Sequence, residues 1–100
     1  LASPLELLAK VQRFVLLLLA ELQRQGLASA ELKNAAVRIC RDEAGNLETR
    51  AIMECFAEFA ATKDEEVCSE LCTLLSQHLR KRLSSIKPDD LFKLAEVHPE

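Results

Sequence analysis

Apolar residues recur at intervals of three and four along most of the chain, the spacing that places side chains on one face of an α-helix. Together with the residues that start and stop helices, this spacing predicts five helices. Their predicted ranges are residues 4–25, 29–42, 47–61, 63–83 and 88–98. Because the connections between them are only a few residues long, neighbouring helices are expected to run antiparallel.

Local residue types support the predicted helix ends. Ser3 is placed to cap the first helix, Pro4 suits its first position, and Gly26 suits a left-handed residue just beyond its end. Gly45 and Asn46 are expected in the turn after the second helix, where they would supply permissive backbone dihedrals. The two glycines are therefore interpreted as helix stops and not as parts of a binding site.

The first helix is apolar on every side over residues 14–20. A helix with one face in water does not show this pattern, so we expect it to be covered over most of its circumference. Covering it in a chain of five helices would take a partner, which makes Phe14, Leu16, Leu17 and Leu19 the candidate partner-binding residues. Seven apolar residues are too few to cross a bilayer, which takes about 20, and no membrane span is predicted.

Composition strengthens the helical prediction. The 100 residues include only two glycines and three prolines, whereas Leu, Ala, Glu, Lys and Arg are abundant. The predicted fold is all-α, with about five antiparallel helices forming an α-solenoid segment of helical hairpins; a compact helical bundle is the alternative. Residues 1–100 are taken as a single helical domain, or as a segment of a longer helical-repeat protein.

The four cysteines indicate a reducing compartment. Cys40, Cys55, Cys68 and Cys72 all fall within apolar helical patterns, where a free cysteine acts as a small hydrophobic residue. We therefore expect reduced thiols in the core and a reducing intracellular compartment, namely the cytoplasm, the nucleus or an organelle matrix. The net charge of −3 does not favour a free-standing nucleic-acid binder, so that any such contact would need a local basic patch.

Neither a metal site nor a catalytic site stands out. Cys72 and His78 lie six residues apart on one predicted helix, about 9 Å along its axis, too far to share one zinc ion without other ligands. The histidines, His78 and His98, do not lie in a glycine-bounded nucleophile elbow, and no glycine-rich phosphate loop is present. The sequence predicts no enzyme activity, no cofactor, no metal and no small-molecule substrate.

A basic stretch near the end of the fourth helix is the candidate RNA-binding surface. It contains Arg80, Lys81, Arg82 and Lys87 and no acidic residue. Cations at this end also complement the helix dipole, and that alone would explain them. On a solenoid, however, helix ends line one edge, where such a patch could meet phosphates.

An internal repeat connects these features with a known family. A shift of 39 positions places residues 47–52 on residues 86–91, with most apolar positions matching. Residues 47–97 then read as a short helix, a charged turn over 62–66, a Leu-rich helix ending in Leu79-Arg80-Lys81-Arg82-Leu83, and Ile86-Lys87-Pro88-Asp89-Asp90-Leu91. This segment resembles the heptatricopeptide-type repeats found with RAP domains and in Fas-activated kinase-like mitochondrial RNA regulators. The resemblance implies an organellar, non-catalytic protein that works on RNA or in ribonucleoprotein assemblies.

Two functions follow as expectations. The first is a helical-repeat scaffold in a mitochondrial ribonucleoprotein, such as the mitochondrial ribosome, which would contact RNA through the basic helix end and proteins through apolar faces. The second is a helical protein–protein interaction adaptor, or a structural subunit of a multiprotein complex, without RNA contact. Other protein subunits are expected partners in both.

Overall fold

The computed structural model describes residues 3–62, 66–86 and 88–89. Over these residues the secondary structure is helical, and four α-helices stand in chain order: α1 (Pro4–Arg24), α2 (Ala30–Arg38), α3 (Thr49–Ala60) and α4 (Glu66–Lys81). A π-helical turn, Ile39–Glu43, and a 3-10 turn, Ala44–Asn46, connect α2 to α3, and a second 3-10 turn, Leu83–Ser85, follows α4. The predicted all-α class is confirmed for this part of the chain.

Within the described residues, the predicted helix bounds agree with the structure to within two residues, except that α2 ends as an α-helix at Arg38, four residues early. The second helix was predicted to end at residue 42, and its helical backbone does continue to Glu43, although its last turn is π-helical. The predicted fourth helix begins among residues 63–65, which lie outside the described residues. Nearly all of the fifth predicted helix, residues 88–98, also lies outside them.

Side-chain and backbone caps explain why α1 and α2 begin and end where they do. The Ser3 hydroxyl accepts a hydrogen bond from the Glu6 N–H at 3.2 Å, and the Ser29 hydroxyl accepts one from the Leu32 N–H at 3.1 Å. Gly26 has φ +72° just after α1. Its N–H and the next one donate back into the last turn of the helix, which is the Schellman arrangement.

One apolar core joins all four helices, and α3 and α4 form its most extensive contact. Its largest fully buried side chains are Leu16, Leu19, Ile52, Phe56, Phe59, Leu71 and Leu75. The Cα radius of gyration is 13.1 Å, close to the value of about 13 Å for a compact domain of 100 residues.

Candidate functional site

The basic stretch after α4 divides into exposed cations and one cation used within the fold. Arg80 and Lys81 are exposed in the last turn of α4. Arg82 is only half-exposed, since its side chain turns back toward the connection between α2 and α3. Lys87, the fourth candidate, lies outside the described residues.

Arg82 joins the α2–α3 connection to the end of α4 through hydrogen bonds. Its Nη1 donates to the carbonyl oxygen of Leu47 at 2.7 Å and lies 3.4 Å from the Thr49 hydroxyl oxygen. Its Nη2 donates to the carbonyl oxygens of Ala44 and Gly45 at 3.3 and 3.2 Å. These carbonyls lie where a 3-10 turn ends and α3 has not yet begun, and the guanidinium adds donors to them; the Ala44 carbonyl also accepts from the Leu47 N–H at 3.0 Å.

The predicted partner-binding residues likewise divide into buried and exposed side chains. Leu16 and Leu19 are fully buried in the core of this chain and in this fold cannot offer a surface to a partner. Leu17 is half-buried against the same core. Phe14, by contrast, is 62% exposed. The apolar run therefore faces inward on one side and outward on the other.

An apolar stripe runs along the outer side of α1. Its members are Leu7, Val11, Phe14 and Leu18, which are 53%, 57%, 62% and 37% exposed; we refer to them as the α1 stripe. At 100° per residue, they fall within roughly 60° of the helix circumference, opposite the buried Leu16. With Leu8, which is 42% exposed, the stripe presents on the order of 400 Å² of surface, within the range of patches that are often functional.

Ion pairs on one edge of α1 help to hold this orientation. Arg13 Nη2 lies 2.5 and 2.8 Å from the two carboxylate oxygens of Glu54 on α3, and Arg24 pairs with Glu58 one turn further along α3. The hydrogen bond to Glu54, followed by its charge, raises the pKa of Arg13. All four side chains are partly exposed, so the pairs orient the helices more than they stabilise them.

A groove opens beside the start of α1. Its volume is about 450 Å³, and its lining includes Lys10 and Arg13 of α1 and Glu48 just ahead of α3. Charges of both signs line it together with apolar groups, which favours no single class of ligand.

Sequence reasoning also missed Gln12, which is only 3% exposed and whose Oε1 has no hydrogen-bond partner among the described residues.

The cysteines and His78 are arranged for packing. All four cysteines are free thiols; Cys40, Cys55 and Cys68 are buried and Cys72 is half-buried. Burial raises the pKa of Cys40, and it raises the pKa of Cys55 to about 12, the opposite of what a nucleophilic thiol requires. His78 Nε2 donates to the carbonyl oxygen of Cys40 at 3.0 Å and so supports the π-helical turn.

Two further features bear on the site. Among the residues that the structure describes, no three His, Cys, Asp or Glu side chains converge as metal ligands would. None of the described helices is both long enough and apolar enough to cross a bilayer.

Comparison of the chain with known protein families, with curated proteins and with solved structures finds no match. The most distinctive surface of the molecule is the α1 stripe.

Proposed function

We propose that this chain is a helical protein-interaction module, an adaptor or structural subunit that joins a larger assembly through the α1 stripe. The observation that carries the proposal is the exposure of Leu7, Val11, Phe14 and Leu18 on the side of α1 opposite the core. A helix of a monomeric domain normally places polar residues there.

The stripe has the composition of a binding surface. Phe14 is a large, exposed aromatic side chain near its middle, and aromatic residues at the centre of an interface contribute most to affinity. Removing on the order of 400 Å² from water, at roughly 25 cal/mol per Å², yields about 10 kcal/mol before the cost of association. This gain exceeds the lower estimates of the cost of association, about 4 kcal/mol, so the stripe can contribute to a reversible complex.

The test compares the assembly state of tagged chains in extracts of their source cells by gradient sedimentation. We expect the wild-type chain to sediment with a larger assembly and Phe14→Asp to return to the monomer fraction, because a carboxylate at the centre of the interface would be desolvated. Asn34→Asp, which places the same charge at an exposed position of α2, is the matched control and should sediment like the wild type. Wild-type chain found only as monomer, or Phe14→Asp that still sediments with the assembly, would overturn the proposal.

A second candidate function is favoured by the exposure of Arg80 and Lys81 at the end of α4. These exposed cations, together with the resemblance to heptatricopeptide-type repeats, support a function as a solenoid scaffold in a mitochondrial ribonucleoprotein. RNA contact would be electrostatic and would use Arg80, Lys81 and Lys87, with Arg82 retained for the fold.

The salt dependence of RNA binding tests this second candidate. Replacing both Arg80 and Lys81 by Ser should lower affinity for single-stranded RNA and reduce the slope of log K against log salt by about 1.4, because two phosphate contacts are lost. Lys33→Ser with Lys10→Ser is the matched control, since it removes two cations elsewhere. A slope that stays unchanged in the Arg80/Lys81 variant rules out contact through this helix end.

A further inference from the structure

We infer that the partner of the α1 stripe is a second copy of this chain, with the two α1 helices packed antiparallel about a twofold axis between Val11 and Phe14. The inference rests on the proposed function, because it names the occupant of the same surface. Three observations support it: the spacing of the stripe residues, the charge at Glu21 and the area that the stripe exposes.

The spacing of the stripe is the same in both directions along the helix. Its intervals are four, three and four residues, from Leu7 to Val11, to Phe14 and to Leu18. Alternating intervals of three and four form the seam of a coiled coil. In an antiparallel pair, the palindromic order sets Leu7 against Leu18 of the second copy and Val11 against Phe14 of the second copy, so all four layers are filled.

The next position of the series determines the direction. Glu21 follows Leu18 by three residues on the same face; its side chain is 57% exposed and pairs with Arg24 of the same helix at 3.3 Å. A parallel pair would place two Glu21 carboxylates in one layer, where like charges repel each other. An antiparallel pair places Glu21 beside Pro4 of the second copy, at the start of its α1, where the helix dipole favours a carboxylate.

The flank of the stripe continues the apolar seam. Leu8 is 42% exposed and Val15 is half-buried, and the antiparallel register brings Leu8 of one copy against Val15 of the other. Two copies, each covering about 400 Å², would bury on the order of 800 Å² in total, the size of a weak and transient interface. We therefore expect a reversible dimer and not a permanent one.

Sedimentation equilibrium of the full chain at concentrations from about 1 μM to about 1 mM, which cover moderate and weak association, tests for the dimer. The wild type should rise from its monomer mass of 11.2 kDa toward twice that mass. Val11→Asp combined with Phe14→Asp should stay monomeric, whereas Asn34→Asp should dimerise like the wild type. Circular dichroism of each variant checks that the helices remain. The concentration dependence of the wild-type mass tests for the dimer independently of how the variants fold.

Charge complementation tests the direction. Leu7→Lys and Leu18→Glu should each dimerise at least tenfold more weakly alone, and their mixture should recover much of the affinity as a heterodimer, because residues 7 and 18 meet. Leu7→Lys mixed with Leu7→Glu is the matched control and should not recover. Recovery by that control pair would overturn the antiparallel arrangement.

The outcomes separate this inference from the proposed function. A wild-type chain that is monomeric at every concentration overturns the second copy as partner. The proposed function is then still decided by whether Phe14→Asp loses the assembly in cell extracts. A dimer that survives the Val11/Phe14 double substitution shows that the copies meet on another face and overturns the inference.

Discussion

Replacing Arg82 by Met should destabilise the fold, because Arg82 joins the end of α4 to the connection between α2 and α3. Methionine keeps part of the apolar stem but removes the guanidinium that donates to the carbonyl oxygens of Leu47, Ala44 and Gly45. These carbonyls belong to the connection that begins α3, and Arg82 follows α4 directly. The substitution therefore releases a contact between segments about 35 residues apart in the chain.

The size of the effect follows from the hydrogen bonds. A bond with a charged partner contributes about 1.5–3 kcal/mol when buried. Arg82 is only half-buried, so water can partly replace it, and we expect a loss of about 2 kcal/mol for the whole set. In a domain of this size, that loss lowers Tm by roughly 8–16 °C.

Urea unfolding followed by circular dichroism measures the loss. Arg80→Met is the matched control, because Arg80 is exposed in the last turn of α4 and should change the free energy of unfolding by less than about 0.5 kcal/mol. Arg82→Lys should fall between the two, since an ammonium can reach a carbonyl but cannot span several. Equal midpoints for Arg82→Met and Arg80→Met would refute the structural role of Arg82.

Three further predictions concern the glycines, a buried thiol and the core. Gly26→Ala should destabilise by about 1 kcal/mol in urea unfolding because of its φ of +72°, whereas Gly45→Ala, which lacks a positive φ and has open space around it, should be neutral or slightly stabilising. Burial raises the pKa of Cys55 from 9.0 to about 12, so its contribution to stability is complete below pH 9 and falls by about 1.4 kcal/mol per pH unit as the pH rises toward 12. Between pH 9 and 10.5, the urea midpoint of a Cys55→Ala variant should therefore fall less than that of the wild-type chain. An equal fall in the two chains would show that Cys55 does not cause this pH dependence. Phe59→Ala should lose about 3–5 kcal/mol in the same assay, and a loss under 1 kcal/mol would mean that its site is not packed as described.

The sequence by itself determined the helices and several of their ends, because these depend on neighbours within one turn. Ser3 and Ser29 cap α1 and α2 through N–H groups three residues away, and Gly26 closes α1 through carbonyls of the preceding turn. Gly45 differs: the expected permissive dihedral is not used, since the chain passes it in a 3-10 turn.

Only the tertiary structure decided which side of α1 faces inward. The run over residues 14–20 is apolar around the whole helix, so its periodicity cannot distinguish the core side from the outer side. Packing against α3 buries Leu16 and Leu19 and leaves Phe14 exposed, which moves the candidate surface from the centre of the run to the α1 stripe. The role of Arg82 was likewise hidden in a run of cations, because its hydrogen-bond acceptors lie more than 30 residues away and reach it only when the helices pack.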